Sequence, residues 1–115
     1  MTLDDVRAAA LAFPEATEEP HHERTSFRVR GKIFATALAG DGHVNVFVSD
    51  DDAHAAVAEW PSWCLELWWG KKLSGVRMRL ADADPAVVRE LLSDAWRRRA
   101  PARLVASFDA PGARS

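Results

Sequence analysis

The chain has 115 residues, the size of one ordinary domain, and its 48% hydrophobic and 28% charged residues are typical of a globular protein. Its 15 Lys and Arg against 17 Asp and Glu give a formal charge of −2, whereas a dedicated nucleic-acid-binding domain is usually basic overall. The single cysteine excludes an internal disulfide, and no apolar run approaches the roughly 18 residues of a membrane span. The first residues include Asp4 and Asp5 and lack the basic-then-apolar pattern of a signal peptide, so we expect a cytoplasmic protein with no membrane partner.

The first predicted helix occupies the beginning of the chain. Thr2 followed by Asp5 has the spacing of a capping box, and apolar residues then recur at intervals of three and four until Pro14. Acidic residues in a first helical turn complement the helix dipole, so their presence here needs no bound cation.

Three strands are predicted next, because the hydrophobic period drops to two. In the first, Thr25, Phe27 and Val29 alternate with basic residues and with serine, which is the pattern of a half-buried strand. Gly31 and Lys32 then form a connection so tight that we expect a positive φ at Gly31. The three predicted strands span 24–30, 33–38 and 44–48.

A second helix and two further strands follow. Ser49 precedes an acidic triplet and a helix that ends before Pro61, and strands at 64–69 and 75–81 then flank the loop "GKKLS". Alternation in the first of these two strands predicts that Trp69 lies in the core with Leu65 and Leu67. The same alternation predicts that Trp68 is exposed, on the face that carries Glu66.

The third helix completes the predicted fold. Asp84 is its N-cap, Pro85 occupies its first position, and a wide apolar stripe that includes Trp96 runs to Pro101. The order α-β-β-β-α-β-β-α predicts a two-layer α+β domain over 1–109, with one antiparallel five-stranded sheet and helices mainly on one face. Residues 110–115 are predicted to be a frayed tail.

No catalytic motif is visible. His21 and His22 are adjacent and have no ligand partner at a recognised metal spacing, and Cys64 lies among apolar residues without a base at motif spacing. The glycines of "GDG" lack the lysine and the helix of a phosphate-binding loop. We therefore expect a protein that is not an enzyme and that has no cofactor and no metal site.

Basic residues are concentrated in two segments without acids, 24–32 and 71–79. If the helices cover the apolar face of the sheet, the arginines of both segments gather on the opposite face. One interpretation is a solvated face whose arginines pair with acids such as Glu66. The other is an anion-binding surface that combines arginines with an exposed tryptophan. The predicted nucleic-acid-binding residues are Arg28, Arg30, Lys32, Trp68, Lys71, Lys72, Arg77 and Arg79.

Two stretches of the sequence carry a recognisable pattern. The first is "ALAFPEATEEPHHERTSFRVRGKIFAT", and the second is "WGKKLSGVRMRLADAD" followed by "LLSDAWRRRAP". On these residues the chain resembles the MmcQ/YjbR family of small bacterial proteins, from Leu3 to about Phe108. The resemblance implies an α+β fold of the secretion-chaperone-like kind and a "double wing" DNA-binding label, and it brings no catalytic residues.

Three functions remain open at this point. The first is a non-enzymatic protein that binds DNA with little sequence specificity, since no recognition-helix pattern is visible. The second is a module that binds a small aromatic or anionic ligand at the tryptophan-rich segment. The third is a protein-interaction module resembling secretion chaperones, which pairs through an exposed sheet edge or forms a homodimer rather than staying a monomer.

Overall fold

The computed structural model describes residues 1–110 of the chain, so that all but the first residue of the predicted tail lies outside the described residues. The predicted α+β class and the predicted element order are confirmed, with one additional strand and one additional helix. In chain order the elements are α1 (Leu3–Leu11), β1 (Ala16–His21), β2 (Arg24–Val29), β3 (Lys32–Ala37), β4 (His43–Val46), α2 (Asp50–Glu59), β5 (Cys64–Trp69), β6 (Lys72–Arg79), α3 (Pro85–Arg99) and α4 (Ala102–Asp109). Within residues 1–110, no helix combines the length and apolar character needed to cross a membrane.

The predicted caps form. In α1 the Thr2 hydroxyl accepts a hydrogen bond from the backbone N–H of Asp5, and the Asp5 carboxylate accepts one from the N–H of Thr2. At the start of α2 the Ser49 hydroxyl accepts a hydrogen bond from the backbone N–H of Asp52, and Asp84 caps α3 with Pro85 at the first helical position. Each cap satisfies backbone donors that would otherwise have no intrahelical partner, which explains why these three helices begin where they do.

The sheet has six antiparallel strands in the order β1-β2-β3-β4-β6-β5, so the prediction of five strands was wrong. The missed strand is β1, an edge strand whose sequence "ATEEPH" has no apolar alternation. Its connection to β2 is the two-residue turn His22-Glu23, in which His22 adopts a φ of 58°. No glycine or asparagine signals this turn in the sequence.

The additional helix is α4, which begins immediately after Pro101, where the third helix was predicted to end. Its residues fold back on α3: the guanidinium of Arg97 donates to the carboxylate of Asp109 at 2.5 and 2.8 Å. The ring of Phe108 lies 5.2 Å from that of Trp96, measured between centroids. A proline that ends one helix can thus cap the next, because its missing N–H costs nothing at a helix start.

The core lies between the helices and one face of the sheet. Trp96 in α3 is fully buried with Phe27 and Phe34 of the sheet, and its indole N–H donates to the carbonyl of Pro14 at 3.1 Å. Hydrophobic side chains of α1, α2 and α3 all belong to this one cluster. The predicted placement of the helices on one side of the sheet is confirmed, and we call the opposite side of the sheet the open face.

Two hairpins extend from the same end of the sheet. The β2–β3 hairpin turns at Arg30 and Gly31, with φ values of 51° and 79°, and the positive φ expected at Gly31 is confirmed. The β5–β6 hairpin turns at Gly70 and Lys71, so β6 already begins at Lys72 inside the predicted loop. Three strand spacings separate the two hairpins, which corresponds to about 14 Å.

Candidate nucleic-acid interface

The strand register shows which predicted residues share the open face. Buried Val76 and Met78 point toward the helices. Arg77, between them, and Arg79, which follows Met78, therefore point to the open face. Arg28 lies on the same face, next to buried Phe27 and Val29. Three of the four predicted arginines are therefore on one side of the sheet.

The centre of the open face is a polar network that holds two of these arginines. Arg77 donates to the carboxylate of Asp41 at 2.8 Å and to the amide oxygen of Asn45 at 3.4 Å. Asn45 in turn donates to the hydroxyl of Thr36. On the neighbouring strand, Arg28 donates to the hydroxyl of Ser26 at 2.9 Å and lies 4.0 Å from Glu19.

The other two arginines also have partners, and one of them is not in a strand. Arg79 donates to the carbonyl of Ser62 at 2.8 Å and lies 3.4 Å from the carboxylate of Asp82. Arg30 was predicted to end a strand but occupies the β2–β3 turn, where it forms a bidentate pair with Glu15. Hydrogen bonding within this pair raises the pKa of Arg30 and lowers that of Glu15.

The arginines thus agree with the first interpretation of the basic segments, although the acid suggested for it was wrong. Glu66 lies on the helix side of the sheet, where its carboxylate is 3.3 Å from the imidazole of His54 in α2. The carboxylates that face the arginines come instead from β1 and from loops before and after the strands.

The lysines differ from the arginines. Lys32, Lys71 and Lys72 are exposed, and none of them forms an ion pair within the part of the chain that the structure describes. Lys32 lies beside the turn of the β2–β3 hairpin, and the other two lie at the β5–β6 hairpin. Because both hairpins project from the same end of the sheet, these three charges lie at that end.

The predicted orientation of the paired tryptophans was wrong. Trp69 is 81% exposed instead of buried, and Leu65, which was predicted to share its core position, is 53% exposed. Strand pairing explains the difference: Cys64 lies opposite Met78 in the core, so Leu65 lies opposite Arg77 on the open face. Trp69, opposite Lys72, shares that face.

Trp68 is exposed as predicted, at 51%, but it lies on the helix side of β5 rather than on the open face. Its indole N–H is 3.4 Å from the carboxylate of Glu66. The sequence contained one signal for the correct orientation, namely Cys64, since cysteine is among the residue types most often fully buried. Assigning Cys64 rather than Leu65 to the core would have placed Trp69 on the open face.

Cys64 is buried in the core. Burial raises the pKa of the Cys64 thiol to about 11, which makes a thiolate nucleophile unfavourable at neutral pH. No cluster of three or more His, Cys, Asp or Glu residues suited to a metal ion occurs within residues 1–110. His21 and His22 contact each other, with ring centroids 4.7 Å apart.

Two cavities lie away from the tryptophan-rich segment. One, of about 430 Å³, is lined by Arg7, Glu18 and Arg24 among other residues, and one Arg24 guanidinium nitrogen is buried without a hydrogen-bond partner. The other, of about 520 Å³, lies between the start of α1 and that of α3, near Met1 and Arg89. Neither is lined by a tryptophan, so neither supports the predicted aromatic-ligand pocket.

Comparison with known proteins gives a family and a fold. The YjbR family model matches residues 11–98. A crystal structure of the Deinococcus radiodurans protein DR2400, which carries the domain of the DUF419 family model, is similar with a TM-score of 0.72 and 18% sequence identity. The similarity covers 83% of this chain and 75% of that protein. A search among curated proteins finds no match to the chain.

Proposed function

The chain belongs to the YjbR family, and we propose that it is a non-enzymatic protein that binds single-stranded DNA with little sequence preference. The observation that carries this proposal is the position of Trp69, which is 81% exposed on the open face and lies opposite Lys72. A soluble protein gains nothing in stability from exposing an indole, whereas an exposed indole beside cations is suited to stacking on a base.

The β5–β6 hairpin supplies the phosphate contacts. Lys71 and Lys72 lie within three residues of Trp69 and form no ion pair with a described residue, so a phosphate does not have to displace a carboxylate. Lys32 lies opposite buried Val29 at the other hairpin and therefore starts from the helix side, so it is not counted among these contacts. The family's DNA-binding label fits this arrangement.

The arginines have a supporting role in this proposal. Arg28 and Arg77 hold the polar network of the open face through their hydrogen bonds to Ser26 and to Asn45. Because each already has a carboxylate within 4 Å, neither is expected to contribute a full phosphate contact. Their positive charge adds to the potential of the open face without fixing the register of a bound strand.

The proposal is tested by titrating a labelled oligothymidine strand with the protein at several salt concentrations. We expect weak binding, and a Trp69→Ala substitution should reduce the affinity by about 1 to 3 kcal/mol while leaving the salt dependence nearly unchanged. A Lys71→Ala substitution should instead make the log–log salt slope shallower by about 0.7.

Arg103→Ala provides the matched charge control. Arg103 lies exposed at the start of α4, on the helix side, so its loss removes one positive charge without touching the proposed interface. This variant should bind like the unmodified protein. Absence of binding to the single strand at about 50 mM salt would contradict the proposal, since electrostatic contacts are strongest there.

A further inference from the structure

The two edge strands of the sheet are protected to very different degrees. The β1 edge carries Glu18, Glu19 and Pro20, and such charges and prolines are features that prevent pairing with another chain. The β5 edge has no proline and only one charged residue, Glu66, which points to the helix side. An unprotected edge strand presents a row of backbone donors and acceptors to a further strand.

The exposed side chains of β5 are apolar, as in a strand that pairs with a further strand. Leu65, Leu67 and Trp69 alternate along the open face, and two of them are more than half exposed. Among the described residues, three of the four most exposed large hydrophobic side chains belong to this one strand, and the fourth is Leu11 in α1. A concentration of this kind marks an interaction surface.

We propose that β5 pairs in antiparallel fashion with β5 of a second copy of the chain, with Leu67 opposite itself on the two-fold axis. In this register Leu65 lies opposite Trp69 of the second copy, and the same pair recurs on the other side of the axis. Antiparallel partners directly opposite each other share a face, so all six of these apolar side chains lie together on the open face. The strand is therefore self-complementary, as an isologous interface requires.

Charge complementarity also favours a second copy as the occupant. The register places Gly70 of one copy opposite Cys64 of the other, so Lys71 approaches the carboxyl end of the second copy's α2. That end carries Glu59 and has no basic residue in its last turn, and the N–H of Cys64 bonds directly to the carbonyl of Trp60 there. A lysine at a helix carboxyl end interacts favourably with the helix dipole.

The dimer extends the molecule in a defined way and does not depend on the proposed DNA binding. Pairing of the two β5 strands joins two six-stranded sheets into one of twelve strands, with both open faces on the same side. The two Trp69 positions are then offset by four residues, or about 14 Å along the strands. Since β5 contributes only six residues per copy, fewer than the roughly 20 of a standard interface, we expect a dissociation constant in the micromolar range.

Sedimentation equilibrium without nucleic acid tests the association. Over a range up to about 100 µM, the unmodified protein should shift from the mass of one chain toward the mass of two. Leu67→Lys places two like charges opposite each other and should abolish the shift, whereas Leu11→Lys, which adds the same charge to an exposed leucine of α1, should preserve it. A protein that remains monomeric up to that concentration, or a Leu67→Lys protein that still dimerises, would overturn the proposal.

Cysteine substitution tests the register. A thiol introduced by Leu67→Cys lies opposite its own copy, at a Cα separation of about 4.5 to 5.5 Å that suits a disulfide, so mild oxidation should give a covalent dimer. The thiols introduced by Leu65→Cys lie about 14 Å apart and should not cross-link with each other. The native Cys64 is fully buried and serves as the internal background. Cross-linking by Leu65→Cys alone, without cross-linking by Leu67→Cys, would contradict the register.

Discussion

The two edges of the sheet carry similar numbers of positive charges and differ in what those charges contact. At the β1–β2 edge, Arg28 and Arg30 contact Glu19 and Glu15, and the outermost strand contains a proline. At the β5–β6 edge, Trp69 and the lysines of the hairpin are exposed.

This difference shows that a cluster of basic residues in the sequence does not by itself define a binding surface. Both basic segments lack acids, yet strand pairing and loops bring acids from elsewhere to their arginines. Glu15 and Glu19 precede the first segment, while Asp41 and Asp82 lie outside the second. What remains available for a ligand is decided by the sheet topology.

The largest expected effect tests whether the β1–β2 edge and the β5–β6 edge unfold together. Trp96 is fully buried in the helix layer that packs on both, so Trp96→Ala should destabilise the protein by about 3 to 5 kcal/mol. Urea unfolding followed by circular dichroism and by the fluorescence of the remaining tryptophans should give coincident transitions. Separate transitions for the two probes would mean that the two edges of the sheet unfold independently.

Two glycine substitutions compare how much the backbone tolerates a side chain near each edge of the sheet. A Cβ at Gly75 in β6 would lie 2.1 Å from the carbonyl oxygen of Val46 and 2.9 Å from the Cα of Phe47, so β6 and the chain after β4 would have to separate. We expect Gly75→Ala to cost about 3 kcal/mol or more.

The comparison variant is Gly31→Ala in the β2–β3 hairpin. Gly31 has a φ of 79°, but no atom beyond its chain neighbours lies within 4 Å of the position that a Cβ would occupy, so this substitution introduces backbone strain without a clash. Its cost should be about 1 to 2 kcal/mol. Thermal melts of both variants check the order, and equal losses would show that strain at φ, rather than close approach, governs both positions.

The smallest effect concerns two carboxyl groups whose pKa values move in opposite directions. Hydrogen bonds from Arg7, opposed by burial and assisted by Thr25, lower the pKa of Glu18 beside α1. Burial, together with the nearby charges of Asp52 and Glu90, raises the pKa of Asp94 in α3.

The pH dependence of two variants follows from these shifts. The charged form of Glu18 stabilises the fold above its ordinary pKa of 4.5, and this contribution is lost as the pH falls through the lowered value. Glu18→Gln should therefore cost about 1 kcal/mol at pH 7, and the cost should shrink as the pH falls below 4.5.

Asp94→Asn should have the opposite sign. The protonated form of Asp94 is favoured in the folded protein below its ordinary pKa of 3.8, and that contribution is lost as the pH rises through the raised value. The amide should thus stabilise by less than about 1 kcal/mol at pH 7, with a gain that disappears below pH 3.8. Denaturant melts at pH 7 and below pH 3.8 check both variants. A change of stability in the same direction for Glu18→Gln and Asp94→Asn at pH 7 would contradict these predictions.

The elements that the sequence predicted well are those whose signals are local. Thr2, Ser49 and Asp84 start helices because their side chains bond backbone groups two or three residues away, and the turn at Gly31 needs a backbone that glycine readily adopts. The three helices, five of the six strands and the placement of the helices on one face could all be predicted.

The features that could not be predicted depend on distant residues. β1 has no apolar alternation of its own and is held as a strand by its backbone pairing with β2. α4 follows Pro101 and packs back on α3, where Arg97 pairs with Asp109. For the candidate site, the eight residues remain a prediction, because which cations are paired with acids and which tryptophan faces the open side depend on strand register. Alternation gave two possible orientations for β5; the burial preference of cysteine favours one of them, and the pairing of Cys64 with Met78 decides between them.

The hydrogen bond from the Trp96 indole to the Pro14 carbonyl bears on how the chain is made. It joins positions 82 residues apart, and α1 buries Val6 and Ala10 in the same cluster of side chains. During synthesis at about 5 to 20 residues per second, α1 therefore waits several seconds on the ribosome before its partner in α3 has been translated. An isolated helix of nine residues is marginal in water, so α1 is expected to become stable only after α3 has been translated and can cover Val6 and Ala10.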